Sequence, residues 1–495
     1  MSVTAVVKHN TYFDSVSLMS ISTRANGLDG VKQAFVAMGT DMNKEVLAGL
    51  GLLTPELREA GNGDLMIVVE GGGQDVLEQI EQLLVRKAPA GGPSAVSYRT
   101  IGAAVAGEPG ANLAVIAVNG AYAAREARTA LNNGLHVMLF SDNVPVEQEI
   151  ALKRLAHERG LLMMGPDCGT AIIDNVALCF GNAVRPGDVG IVAASGTGAQ
   201  EVSVRVHALG GGISQLIGTG GRDLSEQVGG IMMIDGIRAL AADPATEVII
   251  LVSKPPAPSV ERKVLAEIAD AGKPVVVYFI GGSQEAVLAA GGRFAGSSLQ
   301  AAAAALDLDT EPITPPVPQL SGRYVRGLFC GGTLCDESMY ALLERGFDVW
   351  SNIQKNPDFA LRAGSPSRGH TFLDFGDDDF TNGRPHPMID PSLRLARLVQ
   401  EAKDPQVAAI VMDFILGFGA HQDPVGVTLP AIEQAKAIAA ADGRHLEIVG
   451  YVLGTDLDNP SLERQVAALR AAGVTVTRSS TETGRYAATI AGEAA

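Results

Sequence analysis

Cysteine is scarce in this chain: Cys168, Cys179, Cys330 and Cys335 are the only four in 495 residues, and no two stand at C-x-x-C spacing. A disulfide framework and a structural zinc site are therefore not expected. The eight histidines are scattered singly, without HxH, HxxxH or HExxH spacing, so no preformed metal centre is expected either. Aromatic residues make up 5%, with a single Trp. No apolar run approaches the ~20 residues of a membrane span. The opening MSVTAVVKHN lacks the charged, apolar and small-residue zones of a signal peptide, and the expected location is the cytoplasm. Basic residues are outnumbered, 38 Lys and Arg against 55 Asp and Glu, for a formal charge of −17. A surface of that sign repels phosphate backbones and anionic membranes, so neither nucleic acid nor membrane is an expected partner.

What the chain has in quantity is apolar residues, at 46%, and glycine, at 58 residues. That combination suits parallel sheets, whose strands are apolar on both faces and whose turns need positive φ. The expected fold class is α/β, and the length calls for several domains of ~100–200 residues each. Residues 1–92 alternate short apolar runs with helical periods and form a small α/β unit of ferredoxin-like or Rossmann-like character, closed by APAGGPSA. Residues 93–185 contain strands near NLAVIAVNG, HVMLFSDN and LLMMGPDCGT with helices between them, a Rossmann-type pattern. Residues 186–308 and 322–495 repeat one order of elements: strand, glycine turn onto a helix, second strand ending in a Gly/Asp loop, helix, and Asp-Pro turn into a third strand. The Pro-rich linker 309–321 separates the copies.

In open parallel sheets, ligands bind beyond the carboxyl ends of the strands. That rule singles out Asn119, Gly165 and Asp167 in the second region, and Ser195-Gly196-Thr197-Gly198 and Gly332-Thr333 in the two copies. Backbone N–H groups at a helix N-terminus, together with hydroxyls, make a site for phosphate or carboxylate; simple capping of the helix by Ser195 or Thr197 is the alternative. Arg222, on the loop GGRD, and Arg384 are candidates to clamp an anion, the alternative for Arg222 being an ion pair that stiffens its loop. His386, fixed between Pro385 and Pro387, is a candidate acid/base or polar contact, or else a ring packed in a rigid turn. Cys168 lacks a nearby histidine and reads as a small core residue.

VGIVAASGTGAQE, LIGTGGRD and LLMMGPDCGT resemble elements of the succinyl-CoA synthetase α subunit, and FLDFGDDDF and DPQVAAIVMD resemble the carboxy-terminal domain of its β subunit. In combination with NTYFDSVSLM, MGTDMNK, VSKPP, GRPHPMIDP and GFGA, the chain is similar to the FdrA family of succinyl-CoA-synthetase-like proteins along nearly its whole length. The resemblance implies a CoA-binding-like domain, placed at 93–185, followed by two flavodoxin-like ligase domains. It also implies activity as an acyl-CoA synthetase or as a subunit of an oxamate carbamoyltransferase acting in allantoin catabolism. Two departures favour the transferase. Where the synthetases phosphorylate a His in Gly-His-Ala-Gly, this chain has Phe294 before Ala295-Gly296, and a phenyl ring cannot carry a phosphoryl group. No ATP-grasp domain is recognisable either. The expected ligand is carbamoyl phosphate or phosphate, with CoA as the alternative. A homo-oligomer with partner subunits is expected, and a non-catalytic scaffold or filament-forming subunit is the remaining alternative.

Overall fold

The computed structural model describes residues 3–493 apart from 10, 12, 14, 27, 29, 41–42, 45–46, 49–50, 62, 73, 86–95, 311–312, 314, 363 and 382–384. The chain divides into two compact units, the first built from Met1–Tyr98 with Gly383–Pro385 and the second from Arg99–Asn382 with His386–Ala495.

In the first unit, strands β1 (Val3–Lys8), β2 (Val31–Met38) and β3 (Leu65–Gly71) form an antiparallel sheet in the order β1-β3-β2. Strand, helix Ser15–Asn26 and strand run β1 to β2, and β3 is inserted between them. This split βαβ arrangement is the ferredoxin-like alternative, since a Rossmann unit would pair its strands in parallel. Leu18, Ile21, Ile67, Val69 and Ile80 form the core on the helical face. The opposite face is covered by Leu47, Leu52 and Leu57, and part of the helix expected over NKEVLAGL lies outside the described residues.

The second unit holds three sheets. β4 (Leu113–Ile116), β5 (His136–Leu139) and β6 (Met163–Met164) are parallel. A seven-stranded sheet follows, made of β7 (Thr170–Ile173), β8 (Val176–Cys179), β9 (Pro186–Ala194), β10 (Ile213–Gly218), β11 (Val248–Ser253), β12 (Val275–Phe279) and β13 (Arg293–Phe294), in the order β13-β12-β11-β9-β10-β7-β8. Its five parallel strands have the doubly wound order in which the chain reverses direction at β9 and β11, the crevice where ligands bind. The β7–β8 hairpin belongs to this sheet, running antiparallel to β10, although it falls before residue 186 in the sequence.

The third sheet is parallel throughout: β14 (Tyr324–Phe329), β15 (Val349–Ser351), β16 (His370–Asp374), β17 (Val407–Ile415), β18 (Glu447–Leu453) and β19 (Thr475–Thr477), in the order β15-β16-β14-β17-β18-β19. Every residue of β11, β12 and β17 is buried, as strands covered by helices on both faces require. The two copies are not superposable element by element. The second has an extra strand, β15, so its Gly/Asp loop follows a third strand rather than a second. Spatial position restores the match, for β16 lies beside β14 as β10 lies beside β9.

Helices Gly196–Ala208 and Ser298–Ala305 cover one face of the seven-stranded sheet, and helices Gly332–Leu343 and Ser480–Glu493 cover the facing side of the six-stranded sheet. These four helices pack on each other and form one shared layer between the sheets. The layer carries buried polar links. Tyr451 donates to Glu201, the Ser480 amide donates to the same carboxylate at 3.0 Å, and Glu337 accepts from the Ser298 amide at 2.9 Å and the Thr481 hydroxyl at 2.9 Å. Breaking one partner of such a buried pair leaves an unsatisfied group, so these contacts fix how the two sheets dock.

Candidate functional site

The carboxyl ends of β9 and β14 meet in the shared layer. β9 turns at Ser195 into helix Gly196–Ala208, and the Ser195 hydroxyl caps it by accepting from the Gly198 amide at 3.0 Å. The same hydroxyl hydrogen-bonds the Thr333 hydroxyl, on the first turn of helix Gly332–Leu343. The Thr333 amide donates to Thr197 Oγ1 at 3.3 Å. Helix N-termini carry partial positive charge and free amides, so their convergence makes a positive seam. Part of the second turn's capacity is used internally: Asp413 accepts from the Cys330 and Gly331 amides, each at 2.8 Å, and is itself held by Arg394 at 2.7 Å.

Beside this seam runs a strip of groups that the sequence reading missed. Lys254, directly after β11, has its Nζ 3.8 Å from Asp374 Oδ2 at the end of β16. Both press on Gly332: a Cβ there would sit 2.5 Å from Lys254 Nζ and 2.5 Å from Asp374 Oδ2. Gly332 is therefore needed for close approach. Desolvation works against the Lys254 charge, but Asp374, Asp336 and Asp377 outweigh it and hold the ammonium protonated. Burial raises Asp374 and Asp336 to about 6 each, an effect moderated by Lys254. The only local signal for this strip was a lysine immediately following an apolar strand, in VSKPP.

His386 closes the strip. Its Nδ1 accepts from the Met388 amide at 3.2 Å, so the neutral ring carries its proton on Nε2, which faces Gly376 and the end of Asp374. Desolvation and then the Arg394 charge lower its pKa to about 4. At neutral pH it is a hydrogen-bond donor rather than a proton shuttle.

A second group of expected residues lines a narrow cleft of about 40 Å³ formed by Asp142, Asn143, Pro166, Asp167, Gly221, Arg222 and Asp378. Asp167 is exposed; desolvation by the cleft walls, then the charges of Asp378 and Asp142, raise its carboxyl above the ordinary value, against Lys254 and Arg222. Arg222 lines this cleft with its side chain 45% exposed; it donates to the Val144 carbonyl at 2.7 Å and pairs with Glu149, rather than with the Asp of its own loop, at 2.9 Å. Behind it, fully buried Lys153 joins Glu149, Asp223 and the Thr219 carbonyl, each at 2.8 Å.

The remaining expected residues separate by role. Asn119 caps helix Gly120–Asn132 through the Ala121 amide at 3.0 Å. Gly165, at φ 104°, lets the chain pass against the Leu139 carbonyl. Gly196 has open space around it, with the nearest atom to an added Cβ at 3.8 Å. Cys168 is buried against two carbonyls, and burial pushes its thiol up to about 12, as a core residue requires. Arg384 lies outside the described residues. Phe294 ends β13, followed by buried Ala295.

Residues 184–281 match a CoA-binding domain and residues 328–490 a CoA-ligase domain, so the two matches fall on the seven-stranded and six-stranded sheets. The CoA-binding match lies one sheet later than residues 93–185, where the resemblance had put that label. Residues 1–97 match the heavy metal-associated domain of AllF. They contain no cysteine and one histidine, His9, which pairs with Asp64 at 3.0 Å, so the thiolate donors that a heavy metal takes are missing there. Among the described residues no group of three or more His, Cys, Asp or Glu is placed to hold a metal ion, and no helix is long and apolar enough to cross a membrane.

The α subunit of an Archaeoglobus fulgidus succinate–CoA ligase (subunit alpha 2) is 29% identical over 35% of this chain, which spans 60% of that subunit's length. An acetyl-coenzyme A synthetase of Ca. Korarchaeum cryptofilum covers 77% of the chain at 17% identity and a TM-score of 0.34. The paired domains define the class: a mixed α/β protein of succinyl-CoA-synthetase-like architecture with CoA-ligase domains. The Escherichia coli protein YahF is 61% identical over 98% of each chain, and with it this chain belongs to the FdrA family of succinyl-CoA-synthetase-like proteins.

Proposed function

We propose that this chain is a subunit of a carbamoyltransferase, moving a carbamoyl group between carbamoyl phosphate and a small anionic acceptor. The observation that carries the reading is Phe294. By the resemblance to the succinyl-CoA synthetases it takes the place of their phosphorylated histidine, and a phenyl ring at the end of β13 cannot carry a phosphoryl group, which supports a ligase architecture without a phosphoryl relay. Transfer from carbamoyl phosphate needs no such relay; it needs donors for the developing oxyanion and groups that orient the two reactants. Lys254 and the neutral His386 supply donors at one end of the strip, and the helix N-termini at Ser195 and Thr333 supply positive potential beside them. Partner proteins would complete the assembly, and related ligase chains are themselves named as subunits.

Acyl-CoA synthesis is the second reading, supported by the matches to CoA-binding and CoA-ligase domains, with CoA as the ligand. The two are separated by supplying the purified chain, alone and with partner proteins, with carbamoyl phosphate and an amine or amide acceptor, and following phosphate release. A parallel incubation with labelled ATP, magnesium, CoA and succinate is examined for acid-labile protein phosphate. Acceptor-dependent phosphate release with no phosphoprotein is the expected result. Stoichiometric phosphohistidine or ATP-dependent thioester would establish the synthetase instead.

A further inference from the structure

Thr170 is the first residue of β7, in the run GPDCGT, and β7 lies antiparallel to β10. That direction puts the start of β7 beside the carboxyl end of β10, where Gly218 pairs with Ala193 of β9. The approach is close: a Cβ at Gly218 would sit 2.4 Å from the Thr170 carbonyl oxygen. Thr170 thereby reaches the turn at which β9 enters helix Gly196–Ala208. It is only 1% exposed, yet its Oγ1 has no hydrogen-bond partner among the described residues. Buried hydroxyls are ordinarily paired, so this one is held ready for a group that is not part of the chain.

The hydroxyl faces Gly196. A Cβ built there would lie 3.8 Å from Thr170 Oγ1, 3.9 Å from Gly169 Cα and 4.0 Å from Gly169 N, with nothing nearer. Gly169, Gly196 and Thr197 are half-buried, so the gap between the two segments opens to solvent. The Gly198 amide is taken by the Ser195 hydroxyl, but the Gly196 and Thr197 amides are first-turn donors without an acceptor in their own helix, and no other described residue takes them. Two amides at a helix N-terminus and one buried hydroxyl therefore border the same gap, a set of donors that suits an anion. Charge decides which anion. No charged side chain stands at the gap, whereas the neighbouring turn has Lys254 pressed on Gly332. A phosphate dianion is matched by the turn that carries an ammonium, and a carboxylate monoanion by the turn that carries amides and a hydroxyl.

We propose that Thr170 and the Gly196–Thr197 turn seat the carboxylate of the acceptor, one oxygen taking the helix amides and the other the Thr170 hydroxyl. This rests on the carbamoyl-transfer reading and divides the joined turns into two seats, the acceptor at Gly196 and the phosphate of the donor at Gly332 and Lys254.

Calorimetric titration of the full chain with oxamate, with methyl oxamate, which lacks the charge, and with inorganic phosphate tests it. Wild type should bind oxamate in preference to the ester. Thr170→Val, of the same shape, should weaken oxamate about tenfold, as loss of one hydrogen bond to a charged group implies, and leave phosphate affinity unchanged. Its thermal midpoint should hold or rise, because an unpaired buried hydroxyl gives way to a methyl group, and Thr170→Ser should restore the affinity. Gly196→Ala, which fills the gap, should weaken oxamate likewise at an unchanged midpoint. Oxamate affinity unchanged in Thr170→Val and Gly196→Ala overturns the proposal and leaves carbamoyl transfer standing. A loss of phosphate affinity in place of oxamate affinity does the same, since this turn is then the phosphate seat. If wild type binds no oxamate the proposal falls, and carbamoyl transfer falls with it only where acceptor-dependent phosphate release is absent as well.

Discussion

The Ser195 hydroxyl, capping the helix that follows β9, shares a hydrogen bond with the Thr333 hydroxyl on the first turn of the helix that follows β14. Two helix N-termini are thereby locked together where their sheets meet. The anion-binding turns expected singly from the sequence are thereby one composite structure, and Gly332 beside them is squeezed between Lys254 and Asp374.

Three glycines on these turns should accordingly respond differently to alanine. Gly332→Ala puts its Cβ 2.5 Å from both Lys254 Nζ and the buried Asp374 Oδ2, and should weaken anionic ligands about tenfold as well as lower the thermal midpoint. Gly198→Ala puts its Cβ 2.9 Å from Ser195 Oγ, 3.0 Å from Val252 and 3.1 Å from Thr333. That overpacking should cost about 1–3 kcal/mol in urea denaturation. Gly196→Ala meets nothing closer than 3.8 Å and should leave stability near wild type. A uniform loss in all three would show that crowding at Gly332 is not what places Lys254.

Lys153 and Arg222 belong to one ionic network but should differ in weight. Lys153 is fully buried between two carboxylates, and Lys153→Met leaves Asp223 without its ionic partner and Glu149 with Arg222 alone, costing about 3–5 kcal/mol. Arg222 is 45% exposed, and solvent screens its pairing with Glu149. Arg222→Lys should cost at most about 1 kcal/mol and leave turnover nearly intact. Loss of turnover at an unchanged midpoint would return Arg222 to the site.

The neutral state of His386 has a pH signature. Above its ordinary 6.5 neither folded nor unfolded chain protonates the ring, so it adds no pH dependence there. Between 6.5 and about 4 the unfolded chain takes up a proton that the folded chain refuses, and stability falls as pH falls. His370, also lowered to about 4, acts in the same direction, whereas Asp336 and Asp374, raised to about 6, act oppositely. The clean measurement is a difference: wild type should lose stability relative to His386→Gln across that window, and the two urea midpoints should run parallel above it. Parallel behaviour throughout would mean that the ring ionises in the folded chain as it does in water.

The thiols should be inert in the folded protein. Burial pushes Cys168 to about 12 and Cys179 to about 11, and Cys330 and Cys335 well above their ordinary value. Reaction with a thiol-specific disulfide reagent should therefore be slow until denaturant is added. A fast-reacting thiol in the native state would reopen the nucleophile reading of that residue.

Sequence alone determined the local elements and their class. Apolar runs ending in glycine turns name a parallel strand feeding a helix, because strand burial, helix capping and positive φ are all properties of neighbouring residues. The α/β architecture is of this kind, whereas the choice between a ferredoxin-like and a Rossmann-like unit for residues 1–92 waited on the strand order. Tertiary structure alone decided which polar groups meet. Arg222, on a loop, finds Glu149 on helix Val146–Glu158, Asp413 takes the amides of Cys330 and Gly331, and Lys254 acquires its surroundings from Asp374 at the end of β16 and Asp336 on helix Gly332–Leu343. A charged side chain carries no periodicity that reveals its partner, since ionic contacts are set by how sheets dock rather than by what precedes them in the chain. The extra strand β15 shows the same limit: it shifts the order of the second copy along the sequence, yet hydrogen bonding puts β16 back beside β14.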